Sequence, residues 1–431
     1  MTAAEITLPR ASAVRVQGKS LRGNFVRVTG GFAVYSACQW AAVAVLAKLG
    51  SPELVGQYAF AIALTTPVLM LAQMNLRAVL ATDVTGVHDF SDYRNLRFVS
   101  LSAALLIILA LIAKQGVETS RALVIVLVAL IQAGELVADV YYGKLQLLDR
   151  MDRMAISMMA RGILGVLAMG TALWVTGSLA TALAWMFLVR LVVQFAYDAP
   201  NAARDTPERL LRRPWREHFE SQWRILKQAF PLGVVLMFGA LVVNTPRYFI
   251  ANHLGDRALG VFSAIFSLTS AGNLIVNSLG QSATPKLARL HASGDVSGFR
   301  ALSLKMAGLA AGLGLLGVAG AIAVGPFVVT TIYRPEYARH AGFLVVAMAA
   351  SGVGFVASLL GYCITAARRL YQQIPLQAAC LAATALTAWF FIPRWGLAGA
   401  AVALGVGSLV QVTAEAWILR GVVSALQVGG E

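Results

Sequence analysis

The sequence predicts an all-α integral membrane protein of about twelve transmembrane helices, arranged as two parallel six-helix bundles. Three observations predict it. Of 431 residues, 58% are hydrophobic and only 13% charged, and the mean hydropathy is +0.72. A soluble chain of this size covers its surface with roughly a quarter charged residues. The apolar residues also come in blocks near ~20 residues, the length a helix needs to cross ~30 Å of hydrocarbon. Finally, a single long hydrophilic segment divides these blocks into two sets that share a local repeat.

Taken in order, residues 1–24 form a basic N-terminal segment. No cleavable signal peptide precedes the spans, because the first long apolar stretch begins only near Phe25 and continues as a full crossing. The first bundle, 25–199, holds blocks at about 25–47, 57–80, 98–114, 121–143, 154–176 and 179–199. A linker at 200–228 follows, in which Leu211, Trp215, Phe219 and Trp223 recur every four residues among arginines. That spacing predicts an amphipathic helix lying on the inner membrane surface. The second bundle, 229–420, holds blocks at about 229–251, 258–283, 303–325, 340–365, 374–392 and 396–419, and a tail at 421–431 ends the chain.

The 35 lysines and arginines test this map. With a cytoplasmic N-terminus, only Lys48, Lys114, Arg121, Arg257, Arg334, Arg339 and Arg394 fall outside, while Arg190 and Arg247 fall in mid-span. All the others, including Arg77, Arg97, Arg153 and Arg161, collect inside. That asymmetry places both termini in the cytoplasm. It also turns the net charge of +15 into a topology signal with contact to anionic lipid, not a nucleic-acid patch. Cys38, Cys363 and Cys380 lie inside apolar blocks, an odd count without metal-ligand spacing, and read as small packing residues.

The stretch KLGSPELVGQYAFAIALT (Lys48 to Thr65) has a counterpart in HLGDRALGVFSAIFSLT (His253 to Thr269). Aligning Gly56 with Gly260 pairs Tyr58 with Phe262 and Thr65 with Thr269. Parallel repeats of this kind are related by an axis along the membrane normal, with the ligand site between them. Two bundles duplicated only for stability are the alternative.

These junctions, with PLG at the start of the seventh block, NTPRYFI within it and WGLAGAA before the twelfth, carry a resemblance. The chain resembles the polysaccharide-export flippases of the multidrug/oligosaccharidyl-lipid/polysaccharide superfamily, and within it the O-antigen and exopolysaccharide repeat-unit translocases. The resemblance spans the chain, but its motifs are diffuse. It implies a V-shaped pair of bundles in a bacterial inner membrane. It further implies alternating-access movement of an undecaprenyl-diphosphate-linked oligosaccharide, without a cofactor. A polysaccharide polymerase and a chain-length regulator are the further partners it implies.

No phosphate-binding GxxxxGK[ST], HExxH or GxSxG motif points to an enzyme. Polar residues in lipid are costly and become candidates by default. Arg190 lies near the middle of the sixth block, with Gln194 as its same-face neighbour, and Arg247 lies deep in the seventh beside Asn244 and Pro246. A guanidinium grips phosphate oxygens as a two-pronged fork, which suits a lipid diphosphate. Pairing with a carboxylate and snorkelling are the competing roles. Pro246 removes a backbone hydrogen bond and invites a kink. Arg77 sits at an inner helix end, where snorkelling competes with lining the vestibule, and Asp83 lies six residues away, beyond ideal pairing distance. In the fourth block Gln132, Glu135 and Asp139 share one face, as a proton site or as partners neutralising Arg190 and Arg247. Asn273, Asn277 and Gln281 form an amide stripe in the eighth block, suited to sugar hydroxyls or to interhelical hydrogen bonds. Gln411 and Glu415 make a shorter pair of the same kind in the twelfth.

Two rival readings remain at this stage. A cation-coupled multidrug exporter of the same superfamily would want carboxylates in its cavity helices, where this chain has arginines. A non-transport scaffold for glycan assembly would not need arginines in mid-membrane.

Overall fold

The computed structural model describes residues 21–83, 88–203, 215–367, 369 and 372–428. The basic N-terminal segment to residue 20 and Leu211 of the linker lie outside them. The first half contains α1 (Leu21–Leu49), α2 (Pro52–Gln73), α3 (Leu76–Thr82), α4 (Phe90–Gln115), α5 (Thr119–Leu147), α6 (Met151–Thr176) and α7 (Leu179–Val193). A π-helical turn, Gln194–Asp198, joins α7 to α8 (Ala199–Ala203). The second half contains α9 (Trp215–Ser267), α10 (Ser270–Ala292), α11 (Val296–Ile332), α12 (Pro335–Ala338), α13 (Phe343–Ala366), α14 (Gln373–Trp395) and α15 (Leu397–Val428). The described residues contain no β-strand.

Among the described residues, eleven helical segments are long and apolar enough to cross a membrane. The sequence expects twelve, and one of these eleven, α9, consists of two helices that meet at a break. Gly255, at φ 80° and ψ 177°, divides that helix, in a backbone region that glycine enters without a Cβ clash. One helix ends at Gly255 and a second begins at Asp256, in the gap the sequence leaves between the seventh and eighth blocks. Three boundaries differ from the sequence expectation. The second span is not one helix, because Met74 and Asn75 adopt left-handed backbone and separate α2 from α3. The linker helix does not stop before residue 229 but runs unbroken into the seventh span, with Pro231 inside it. The sixth span ends in the wider π turn rather than in regular α-helix.

The ends of the helices define two faces. On the junction face, Lys48 donates to the Thr331 carbonyl at 3.2 Å, and Arg334 donates back to the Lys48 carbonyl at 3.2 Å. Arg257 bridges Glu53 at 3.3 Å and Glu336 at 2.9 Å, and Arg121 meets Asp256 at 3.1 Å. The two repeat copies meet here. A Cβ on Gly56 would overlap the Asp256 carbonyl, and one on Gly260 would overlap the Pro52 carbonyl. Since Pro52 and Asp256 occupy the same repeat position, each copy presents the same surface to the other. Small residues at such a crossing let backbones touch, and α11 and α13 repeat the device where Gly314 meets Gly352.

On the opposite, arginine-rich face, the start of α9 is tied to the start of α4. His218 Nδ1 lies 2.7 Å from Asp92 Oδ1, and the Ser221 hydroxyl donates to Asp92 Oδ2 at 2.6 Å. Along this stretch Ile225 is buried while Phe219 and Trp223 are exposed.

Membrane arginines and an open amide stripe form the candidate functional site

In the first half, apolar helices bury arginines by giving each a partner. Arg190, 4% exposed on α7, forms an ion pair with Glu135 of α5. Gly165 of α6 makes room for it, since a Cβ there would stand 3.0 Å from Arg190 Nε. The pair borders a cavity of about 330 Å³ whose polar lining includes Gln39, Tyr58, Thr66 and Gln132. Gln132 donates to the Thr65 hydroxyl at 3.1 Å. Arg77 of α3 meets Asp139 at 3.6 Å and donates to Gln146 at 3.3 Å. Glu135 and Asp139 are therefore partnered by Arg190 and Arg77, and the expected neutralisation of Arg247 does not occur. Asp83 instead accepts the Tyr93 hydroxyl at 3.2 Å.

Two further arginines of the inner set, Arg161 and Arg97, lie within the packed bundle. Arg161 pairs with the fully buried Asp198 at 3.2 Å and donates to Gln194 at 2.6 Å. Gln194 thus serves Arg161 rather than Arg190. The π turn carries both Gln194 and Asp198, consistent with its use at positions where side chains must be re-aimed. Arg97, 1% exposed, donates to the Ala72 and Gln73 carbonyls at 2.7 and 2.9 Å. Those carbonyls are the ones orphaned by the break after α2. Sequence spacing could have raised Arg161 and Asp198 as candidates, since both lie among apolar residues. Nothing local announced the Arg97 cap.

Arg247 differs from all of these. It lies half-buried on α9 and donates to Asn244, one turn earlier, at 2.7 Å. Its Nε is buried without a hydrogen-bond partner, and among the described residues no carboxylate pairs with it. It does not line the cavity beside Arg190, so the structure does not gather the two arginines into one pocket. The surrounding helix is held by its own side chains. Asn244 and Thr245 donate to the carbonyls of Ala240 and Leu241 at 2.8 and 2.7 Å. The Tyr248 hydroxyl crosses to the Ala63 carbonyl of α2. Pro246 has no N–H to offer Val242, so the ladder is interrupted one residue before the guanidinium.

The amides of α10 complete the picture. Asn273, Asn277 and Gln281 are all exposed, together with Ser278 and Ser282. The Tyr362 hydroxyl reaches Asn277 at 3.4 Å. This helix is not among the segments apolar enough to cross a membrane alone. An exposed polar stripe at membrane depth is tolerated where it borders water and not lipid. Glu415 of α15 is different again. It is 3% exposed, accepts from Gln411 at 3.0 Å, and leaves Oε2 without a partner. No basic residue balances it among the described residues.

The family described as "Polysaccharide biosynthesis protein" matches residues 21–291, more than half of the chain. The chain belongs to that family. A relative, the capsular polysaccharide biosynthesis protein CapF of Staphylococcus aureus, is 25% identical over 86% of this chain and 92% of its own length. In fold, the chain is similar to a multidrug resistance MATE family transporter of the MOP superfamily in its inward-facing conformation. The TM-score is 0.72 at 17% identity, covering 94% of this chain and 99% of that one. An outward-facing MATE structure of the same superfamily gives a TM-score of 0.64 at 15% identity, covering 97% and 99%. The polysaccharide family member thus has the MATE fold, an all-α membrane architecture of eleven or twelve apolar helices.

Proposed function

We propose that this family member is a translocase that carries a polyprenyl-diphosphate-linked oligosaccharide across the bacterial inner membrane by alternating access. The observation that carries this reading is Arg247. Within an apolar helix, the paired arginines of the first half are neutralised by acids, whereas Arg247 keeps its guanidinium edge free of any carboxylate among the described residues. An uncompensated cation in a bilayer is costly unless it serves an anionic ligand or faces water. Bidentate binding of a diphosphate oxygen pair is the chemistry it suits. Asn244 orients it, and the amides of Asn273, Asn277 and Gln281 suit the sugar hydroxyls. Arg77 and Arg190, being ion-paired, fit a structural role at the border of the site.

The closed junction face and the higher similarity to an inward-facing transporter support an inward-open state with substrate entering from the arginine-rich side. We assign that side, both termini and the linker to the cytoplasm. The division into residues 25–199 and 229–420 is the proposed pair of moving bundles. Polymerase and chain-length regulator are proposed downstream partners. Of Glu135, Asp139 and Glu415, only Glu415 has no balancing base among the described residues. It is the residue on which the runner-up reading, a cation-coupled drug exporter, rests. The test is complementation of a strain lacking its own repeat-unit translocase, with membrane abundance measured alongside. Arg247→Ala at normal abundance is expected to abolish glycan export. Normal export by that variant, with a Glu415→Gln variant losing drug efflux, would move the assignment to the exporter.

A further inference from the structure

Away from Arg247 and the first-half cavity, a groove of about 550 Å³ opens between α11, α13 and α15. Its walls are apolar: Leu304, Ala307, Leu360, Leu419 and Val423 line it. Leu304 is 63% exposed, so the groove opens to the surroundings of the helix bundle. At one end stand Arg300, near the start of α11, and Arg420, near the end of α15. Both are exposed, and neither forms an ion pair among the described residues. Ser303, 9% exposed, also lines the groove, with its hydroxyl against the Cys363 thiol.

We propose that this groove binds one anionic phospholipid of the leaflet at the arginine-rich face. The two guanidiniums would hold the phosphate, and an acyl chain would lie along Leu304, Ala307 and Ala416, on the membrane side of both arginines. Charge complementarity decides the occupant. A purely apolar groove would accept any lipid tail, but two unpaired arginines at the headgroup end select an anion. The arrangement of one charged end and one apolar wall also excludes a free soluble anion as the fitted ligand, because such an anion would leave the wall uncovered. The proposal does not depend on the translocated substrate, since none of the groove residues belongs to the Arg247 site.

The test uses the full chain in detergent, with the first bound lipid followed by native mass spectrometry. Dioleoylphosphatidylglycerol is expected to bind more tightly than dioleoylphosphatidylcholine. Arg300→Gln with Arg420→Gln should weaken phosphatidylglycerol binding about thirtyfold, or ~5-fold for each arginine, and leave phosphatidylcholine unaffected. Leu304→Trp, which fills the groove and keeps both charges, should also reduce phosphatidylglycerol binding, and it provides a second route should the double variant fold poorly. Equal affinity of the wild type for the two lipids would overturn the proposal. So would wild-type phosphatidylglycerol affinity in both the double variant and Leu304→Trp. Displacement of the lipid by inorganic phosphate alone, or tight groove binding of undecaprenyl phosphate but not phosphatidylglycerol, would also overturn it.

Discussion

The first half and the α9 rod treat an arginine in an apolar helix in opposite ways. Arg190, Arg77 and Arg161 each meet an acid, Glu135, Asp139 and Asp198, and Arg97 closes on two backbone carbonyls. Arg247 meets only the neutral side chain of Asn244. A buried cation with its counter-charge is a structural element whose cost is already offset inside the fold. Arg97 shows that backbone carbonyls can stand in for the counter-charge; a cation with neither is either a defect or a binding group. The difference separates the residues that build the first half from the residue that α9 keeps free.

That comparison breaks first at Arg161 and Asp198. Removing one member of a buried pair leaves the other uncompensated, at a cost of about 3–5 kcal/mol. Arg161→Ala is expected to eliminate most folded protein in fluorescence-detected gel filtration, and Arg161→Leu with Asp198→Leu to recover part of it. Normal yield from the single variant would show that pairing is not what keeps these arginines.

Next in size is the glycine crossing of the junction face. Gly260→Ala forces a methyl into the Pro52 carbonyl, so the two repeat copies must separate. We expect transport to fall at near-normal abundance. A cysteine replacing Glu53 should become more reactive to a membrane-impermeant maleimide. Unchanged reactivity and transport would show that the crossing is not a closed gate.

Glu135→Gln is a milder change, because Gln still accepts a hydrogen bond from Arg190 while losing the charge. A loss of about 1–3 kcal/mol of stability is expected, read as a lower melting temperature with transport per molecule preserved. A changed pH dependence of transport at normal stability would instead make Glu135 a proton site. The smallest effect belongs to Arg257, whose side chain is 65% exposed in its pair with Glu53. Exposed pairs contribute up to ~1 kcal/mol, so Arg257→Ala should change transport by less than about fivefold.

The sequence legibly carried the membrane class, the number of crossings and the repeat, because these depend on block length and on glycines that must recur where backbones touch. Gly56 and Gly260, aligned by spacing alone, turned out to face each other's repeat copy. It also flagged Arg190, Arg247, Glu135 and Asp139, since a charge among apolar residues is visible without coordinates. Pairings were not legible. Glu135 and Asp139 lie one turn apart, and which arginine each one meets depends on the packing of α5 against α3 and α7. The break at Met74 and Asn75 was equally hidden, since it involves no proline and the carbonyls freed after α2 are capped by Arg97 from a different helix. The turn at Gly255, by contrast, falls in the gap the sequence leaves between the seventh and eighth blocks.

The central claim is that Arg247 is held free for an anionic lipid headgroup. Its most direct test is equilibrium binding of undecaprenyl diphosphate to the purified full chain. The wild type and Arg190→Ala should bind alike, once corrected for folded fraction. Arg247→Lys should bind more weakly because an ammonium lacks the two-pronged geometry. Arg247→Ala should lose affinity by roughly 10- to 100-fold, the loss expected for hydrogen bonds to a charged group. Equal affinity in the wild type and Arg247→Ala would contradict the account, and a loss confined to Arg190→Ala would transfer the headgroup to the first-half cavity.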